Sequence, residues 1–567
     1  MLPALTIKTA GGDRHIEFLP GQSLREVLDS TNYRVRSGCR GTGACGLCRV
    51  GLRAEEADEP TLAERLYLSA DQIASGVRLA CQVRPKQNME VVILNPTPPS
   101  SWKTITPTFR YCTRSDKFPA CPPLDLPKDM KHPYGVAVDL GTTHVSLSFY
   151  DLATGAWITG RHGLNPQAEY GADVMTRLTA ACESQQQARA MRKQALDAIE
   201  GAIVDVATRE GIGTEQVVKV VLGGNTAMLA LLSGRNYHLL LQPAHWMQNI
   251  DCLPENPGEL SLSCEIHPEA VIEVLPPLAG FVGSDLMAGV IATKLTEAGP
   301  GSLLIDFGTN SEIALWDGEV LWVTSAAGGP AFEGCGISCG MPAESGAIHQ
   351  VRDRAGHELG SGSISGCAGT GASSNSGSMA ATAGIFGSCL DFSTIDGENP
   401  TGLCGSGIVD LIACLVESGK LTSTGRFAPG IPQEGIVLLD GERRLILTKK
   451  DVDIFQRAKG AISAAIRVLL SMARMSCGDF QHIYVGGAFG HFLNKANATS
   501  IGLLPNIRYE SIHLCGNTAL AGCEYLLMSP DSVELLKRIT ARARIINLSQ
   551  STDFEDFFLD GLYLSSW

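Results

Sequence analysis

Apolar and polar positions alternate over Ala4-Leu5-Thr6-Ile7-Lys8, Gly11-Gly12-Asp13 reads as a turn, and His15-Ile16-Glu17-Phe18 returns. This pattern predicts a β-hairpin. Ser23 stands where it can cap a short helix over 24–28, and 90–94 reads as a closing strand. Farther on, Gly135-Val136-Ala137-Val138-Asp139-Leu140 runs as a strand into Gly141-Thr142-Thr143 and returns as an alternating strand from His144, with a third strand around Trp157. The pattern recurs 167 residues later (306 − 139) in Ser302-Leu303-Leu304-Ile305-Asp306-Phe307-Gly308-Thr309-Asn310-Ser311-Glu312, followed by an Asp317-Gly318 turn and a third strand over 320–323. Such a repeat predicts two similar lobes. Leu196, Ile199, Ile203 and Val206 share one helical face and feed the strand 217–222 that ends in Gly223-Gly224-Asn225. Phe455, Ile462, Ile466 and Leu469 do the same within 451–475, ahead of His482-Ile483-Tyr484-Val485-Gly486-Gly487-Ala488. Both apolar faces are expected to be core.

The pattern lapses in three places. Nine prolines fall between 95 and 134, which rules out a helix interior or a central strand and reads as a semi-extended tether, with a packed linker the competing reading. Residues 360–400 are rich in Gly, Ser and Ala and read as a mobile surface loop. The acidic and aromatic tail around Phe554-Glu555-Asp556-Phe557-Phe558 reads as an extension that docks. A chain of 567 residues is multi-domain by length. The expected divisions are a front domain 1–95, a linker 96–134, a first lobe 135–298, a second lobe 299–530 and an extension 531–567.

Charge and cysteine usage narrow the classes. A net charge of −14 argues against non-specific nucleic-acid binding, which needs basic surface. No apolar run reaches membrane-spanning length and the N-terminus lacks a basic and apolar leader, so no membrane is expected and the cytoplasm is. Eighteen cysteines without a disulfide pattern suit a reducing, anoxic interior.

Four of those cysteines carry chemistry. Cys39, Cys45 and Cys48 have the spacing C-x5-C-x2-C, and Cys81 follows 33 residues on. Glycines 38, 41, 43 and 46 interleave them, so the loop can turn its amides toward thiolate and sulfide. Four thiolates suit a [2Fe–2S] cluster. Zinc usually takes two compact ligand pairs, so the three-plus-one split favours iron over zinc or unligated core thiols. The order of hairpin, helix, cluster loop and late fourth cysteine resembles a β-grasp ferredoxin of the adrenodoxin-like spacing. Past Cys523 there is no cysteine, so no second cluster is expected in the tail.

The twin hairpins carry the rest. A tight Gly-Thr turn offers amides and hydroxyls to a phosphate chain, here from Gly141, Thr142 and Thr143 and again from Gly308, Thr309 and Asn310. Asp139 and Asp306 at the strand ends can hold Mg2+ through its waters. One such turn would be weak evidence, because hairpins often use Asp and Gly; two in matching strands are strong. Gly486, Gly487 and Ala488 end a third strand where a base and ribose can approach backbone. Glu333 is a candidate to orient water or Mg2+, with a structural hydrogen bond the competing reading. Asn225 is a pocket candidate. Gly405 and Ser406 can open a helix whose N-terminus meets a phosphate or a partner, with a flexible surface insertion the plainer reading.

These three motifs resemble the phosphate-1, phosphate-2 and adenosine motifs of the acetate/sugar kinase, Hsp70 and actin superfamily, which implies two RNase H-like lobes and ATP. Further strings sharpen this: Asn165-Pro166-Gln167, Tyr170-Gly171-Ala172-Asp173, Gly224-Asn225-Thr226, Phe281-Val282-Gly283-Ser284-Asp285, Ala327-Gly328-Gly329-Pro330, Cys404-Gly405-Ser406-Gly407 and Gly516-Asn517-Thr518. With the ferredoxin in front, the chain is similar to the reductive activators of corrinoid proteins. That resemblance implies an α/β multi-domain chain in which ATP use drives an electron from the cluster to Co(II) of a corrinoid protein and restores Co(I). It also implies an external low-potential electron donor, with a homodimer allowed for. The competing readings are a small-molecule kinase with a fused regulatory ferredoxin, and an ATP-binding corrinoid-protein chaperone.

Overall fold

The computed structural model describes residues 2–567 except 10–11, 30, 32, 34, 36–42, 44–45, 47, 54–57, 96–101, 106–129, 131, 172, 257–259, 261, 263, 334–335, 354–389, 441–443, 488 and 530. The Gly/Ser/Ala segment therefore lies mostly outside the described residues, as do Cys39, Cys45 and Ala488.

The front domain begins with β1 (Ala4–Thr9) and β2 (Gly12–Glu17), joined in antiparallel register with Leu5 opposite Ile16. The alternation works as predicted: Leu5 and Ile7 are fully buried while their neighbours face out. Helix α1 (Leu24–Asp29) starts at Ser23, whose hydroxyl accepts the Glu26 amide while Glu26 returns a carboxylate to the Ser23 amide. This reciprocal pair satisfies two amides that would otherwise be orphaned. Next come β3 (Arg49–Leu52), the short helices α2 (Leu62–Tyr67) and α3 (Ala70–Ala74), β4 (Val77–Leu79) and β5 (Met89–Ile93). The sheet order is β2-β1-β5-β3-β4, with β1 and β5 parallel. Leu24, Leu28, Val50, Leu79 and Val91 fill its core.

Part of the linker is structure. β6 (Lys103–Thr104) pairs antiparallel with the far edge of the first lobe's sheet, and Trp102 before it is buried beneath. Its ring occupies the space that side chains at Gly163 and Gly201 would need. The indole offers enough apolar area to hold this stretch against a sheet edge despite the prolines around it. Over 102–105 the chain is packed; the rest of 96–134, apart from 130 and 132–134, lies outside the described residues.

The first lobe follows as β7 (Tyr134–Leu140), β8 (His144–Asp151), β9 (Ala156–Leu164), α4 (Val174–Glu183), α5 (Gln185–Glu210), β10 (Val217–Gly224), α6 (Thr226–Ser233), β11 (Val271–Val274) and α7 (Ser284–Thr293). Sheet order is β11-β10-β7-β8-β9-β6. The first three strands are antiparallel and the next two join in parallel. Of the predicted face of α5, Ile199, Ile203 and Val206 are buried and Leu196 is partly so.

The second lobe opens with β12 (Ser302–Phe307), β13 (Ser311–Trp316) and β14 (Leu321–Ala326). The chain continues through α8 (Gly329–Phe332), β15 (Ala347–Asp353), β16 (Leu390–Thr394), β17 (Gly402–Leu403), α9 (Gly405–Glu417), β18 (Ile436–Leu439), β19 (Leu445–Leu447) and α10 (Lys449–Ala473). It then supplies β20 (His482–Gly487), α11 (Phe489–Phe492), α12 (Lys495–Ser500), β21 (Ile512–Gly516), α13 (Thr518–Met528), α14 (Ser532–Arg542), β22 (Ala543–Ile545) and α15 (Phe554–Gly561). The second large sheet runs β21-β20-β12-β13-β14-β22. Its first five strands repeat the order of the first lobe, so the internal repeat is two RNase H-like lobes.

By compactness the chain divides into one unit of residues 1–325, 481–491 and 514–547, and another of 326–480, 492–513 and 548–567. The first holds both large sheets. In it α7 and α13 lie so close that a side chain at Gly522 would strike the Ala288 carbonyl. The second holds the small sheet β16-β15-β17, the pair β18-β19 and the long helix α10.

The tail, expected as a docking extension, packs on the chain itself. β22 adds a parallel edge strand to β14, and α15 packs along α10. The aromatic residues contribute to this packing: Phe557 lies under the Arg467 guanidinium at 4.2 Å. Among the described residues no helix is long and apolar enough to cross a membrane.

Candidate functional site

Two of the four predicted cluster thiols are described, and the fold brings them together. Cys48 precedes β3 and Cys81 lies in the turn after β4; both are buried. The Ala80 amide donates to the Cys48 carbonyl at 2.8 Å, which fixes the two segments side by side. The Cys48 thiol first, then the Gln82 amide and the Arg25 charge, draw the Cys81 thiol down to about 6, while burial acts the other way. A thiol poised toward thiolate suits an iron ligand. Gly43 and Gly46 both take left-handed backbone, and side chains there would strike Gln82 and Tyr67. The loop is thus pressed against its own domain as a cluster cradle requires. Cys39 and Cys45 lie outside the described residues.

The twin hairpins meet. Thr143 Oγ1 lies 3.2 Å from Thr309 Oγ1, so the two turns converge on one point. The first turn is held from behind: the Asn165 side-chain amide donates to the Gly141 carbonyl at 2.9 Å, and the Asn225 amide donates to Thr142 Oγ1 at 2.9 Å. Asn225 also caps α6 by accepting the Met228 amide. Asp139 accepts from Asn517 Nδ2 at 2.7 Å, and Asp306 accepts from Thr518 Oγ1 at 3.0 Å. Both donors begin α13.

Four carboxyl groups share this region. Burial pushes Asp139 up to about 7, with the charges of Asp285 and Asp306 adding to it and Asn517 opposing it. Burial also raises Asp285. Glu312 is raised well above the usual range by burial and then by Asp285, although the Gly283 amide donates to its Oε1 at 3.4 Å. Like charges in low dielectric cannot all ionise. Burial and mutual repulsion thus oppose full ionisation of Asp139, Asp285 and Glu312 together.

Gly486 and Gly487 end β20 beside this cluster. A side chain at Gly486 would meet Thr518 and Asp306, and one at Gly487 would strike the Phe307 carbonyl. Strand packing alone thus demands glycine at both positions. A small, half-open cleft borders the hairpins, lined by Asn225, Thr226, Asn310 and Glu312 on its polar side and Leu178 and Phe281 on its apolar side.

The structure therefore brings together Asp139, Thr142, Thr143, Asn225, Asp306 and Thr309. Glu333, Gly405 and Ser406 belong to the other unit. There Glu333 is half-buried just after α8. Ser406 is buried in the first turn of α9, its hydroxyl 3.4 Å from Cys404 Sγ. Sequence reasoning passed over Asp285, Glu312, Asn517 and Thr518 as site residues. The signal was present in Gly283-Ser284-Asp285 and Gly516-Asn517-Thr518, each a strand or turn running into a helix N-cap.

Comparison with known proteins matches three stretches of the chain. A 2Fe-2S iron-sulfur cluster binding domain matches 7–86, the RACo middle region matches 134–298, and the C-terminal ASKHA domain of RACo matches 301–566. The front of the chain is thus a [2Fe–2S] domain and the rear a nucleotide-binding ATPase-type domain. The corrinoid activation enzyme RamQ of Eubacterium limosum is 29% identical over 448 residues, 75% of this chain and 69% of the relative. The [Co(II) methylated amine-specific corrinoid protein] reductase of Methanosarcina barkeri is 27% identical over 471 residues, 76% of this chain and 77% of the relative. The solved structure of a reductive activator for corrinoid, iron-sulfur protein superimposes with a TM-score of 0.63 at 23% identity, covering 99% of this chain and 98% of that one. That likeness shows the fold.

Proposed function

The chain belongs to the RACo family of reductive activators of corrinoid proteins, and on that premise we propose that it uses ATP to pass one electron from its [2Fe–2S] cluster to Co(II) of a corrinoid protein, regenerating Co(I). The observation that carries the reading is the meeting of Thr143 and Thr309 in a chain that also joins Cys48 to Cys81. A phosphate clamp and a thiolate cradle occur in one polypeptide.

Reducing Co(II) from a ferredoxin-type cluster is uphill, and for one electron each ~59 mV is a factor of ten. The cluster supplies the one-electron change, and bound nucleotide supplies differential affinity for one conformation over another. The chain's own residues divide the work as follows. Cys39, Cys45, Cys48 and Cys81 hold the iron. Gly141, Thr142 and Thr143 would serve one side of the phosphate chain, and Gly308, Thr309 and Asn310 the other. Asn225 braces Thr142. Asp139 and Asp306 would reach Mg2+ through its waters. Gly486, Gly487 and Ala488 would offer backbone to the adenosine. Glu333 would orient water, and Gly405 with Ser406 would start a helix toward phosphate or partner. The working divisions remain 1–95, 96–134, 135–298, 299–530 and 531–567. A low-potential donor reloads the cluster, the working form is a monomer or homodimer, and the compartment is the anoxic cytoplasm.

The test is anaerobic incubation of iron-loaded protein with a Co(II) corrinoid protein and reductant, following the Co(I) absorbance. MgATP should raise both rate and extent; equal values without nucleotide would sink the reading. The meeting of the two phosphate-type turns also suits one other reading, a small-molecule kinase with a fused regulatory ferredoxin. Phosphoryl transfer to a small acid or sugar in the absence of any corrinoid would decide for it.

A further inference from the structure

A buried ion pair joins the front domain to the first lobe. Arg25 Nη2 donates to Glu210 Oε1 at 2.6 Å, and both side chains are more than nine-tenths shielded. Arg25 is in α1 and Glu210 is the last residue of α5, 185 residues away. At its other end, the Arg25 amide donates to the Ala80 carbonyl at 3.0 Å, one residue before Cys81. A single residue therefore touches the loop that carries a cluster ligand and the lobe behind it.

The acceptor is shared. Arg161 Nη2 approaches the same Glu210 oxygen at 3.6 Å, while its Nε donates to Asp205 at 2.6 Å. Arg209 lies 3.7 Å from Asp205. Three guanidiniums thus divide two carboxylates in a place where water is excluded. Removing one carboxylate there leaves positive charge uncompensated, and burial keeps that charge from being screened. Cluster reduction adds one negative charge, and net charge is one of the terms that set a cluster's potential.

We propose that Arg25 is a positioning residue, paired with Glu210, that clamps the cluster loop onto the first lobe and sets how readily the cluster accepts its electron. Beyond Glu210, Gly211 ends the helix and β10 runs to Asn225, which grips Thr142. The clamp and the strand leading to the phosphate turn are therefore consecutive along the chain.

This inference rests on the cluster assignment alone, so its test contains neither nucleotide nor corrinoid. The full iron-loaded chain is titrated with reductant under a mediator mixture, and the reduced cluster is counted by its paramagnetic signal. At the wild-type midpoint E210Q should raise the ratio of reduced to oxidised cluster about three-fold, equivalent to ~30 mV at 59 mV per decade. R25Q should lower it by a similar factor, and in the R25Q background the effect of E210Q should fall by half or more. A change below about 1.3-fold for E210Q at full iron content overturns the proposal. Should either variant fail to hold iron, the unaltered chain still decides. A nitroxide on an unnatural side chain at Val204, exposed on α5, should relax faster when the cluster is reduced. Relaxation equal to that of the oxidised chain would mean the clamp is not made.

Discussion

Asn517 donates its side-chain amide to Asp139 at 2.7 Å across 378 residues of sequence, while its oxygen accepts the Leu520 amide at 2.7 Å. One side chain both starts α13 and holds the strand-end carboxylate of the other lobe. The cap fixes which way the amide points: with the oxygen committed to Leu520, the nitrogen faces the acid.

N517A removes both contacts. The lost cap costs about 1 kcal/mol of stability. Without its donor, Asp139 moves still higher than about 7, because burial acts on it unopposed. In the role proposed for Asp139 its carboxylate serves MgATP binding, so wild-type affinity should strengthen as pH rises through about 7. In N517A that rise should begin at higher pH. Calorimetric titration with MgATP from pH 6 to 9 checks it; an unmoved profile would detach Asp139 from the nucleotide.

Asp139 also leaves a mark on the nucleotide-free chain. Its carboxyl is near 3.8 when unfolded and about 7 when folded. Between these values the folded state keeps a proton that the unfolded state has released. The stability it contributes is full below the lower value and is lost as pH rises through the upper one. D139N cannot titrate, so its stability relative to wild type should improve from pH 4 to pH 8 in denaturant unfolding. A constant difference would mean the carboxyl is not shifted.

Lys459 runs the other way. Burial brings its amine from 10.5 down to about 7, while Nζ donates to the Tyr563 carbonyl at 2.7 Å. Between those pH values the unfolded chain holds the extra proton, so stability should climb as pH rises from 7 toward 10. K459M should flatten that climb. Parallel pH slopes in the two proteins would refute the burial.

C48S should abolish the visible absorbance of the cluster and leave MgATP affinity within about two-fold of wild type, since the phosphate turns belong to other elements. A matching loss of nucleotide binding would show that the iron domain supports the lobes' fold.

Removing 548–567 should lower the melting temperature by several degrees. The deletion strips α15 from α10, with the carbonyl of Leu562 that Gln456 holds and the ring of Phe557 beneath Arg467. Each is a roughly 1 kcal/mol contact. An unchanged melting curve would mean that these contacts add nothing to stability.

What could be read from the residues follows a physical divide. Local periodicity revealed β1, β2, β7, β8, β12 and β13, because each pairs with its sequence neighbour and declares its turn. It also revealed the face of α5, where burial recurs at helical spacing. Contacts made at long range left little trace. Nothing near Arg25 announces Glu210, and nothing near Asp139 announces Asn517. Trp102 sat among prolines that masked a packed strand, and β22 is only three residues long. Asp285 and Glu312 look like ordinary acids until the fold buries them together.

The second large sheet has a consequence for how the protein is made. β12 hydrogen-bonds in parallel to β20, with Ile305 opposite Val485, yet 180 residues separate them (485 − 305). At roughly 5–20 residues per second, a ribosome leaves that edge of β12 without its partner for about ten to forty seconds. During that interval a nascent chain carries an open strand edge of Leu303, Leu304 and Ile305, which any neighbouring strand could claim. Slow translation through 326–480 should therefore favour clumping of half-made chains, and a host rich in ribosome-bound holdases should give the better yield.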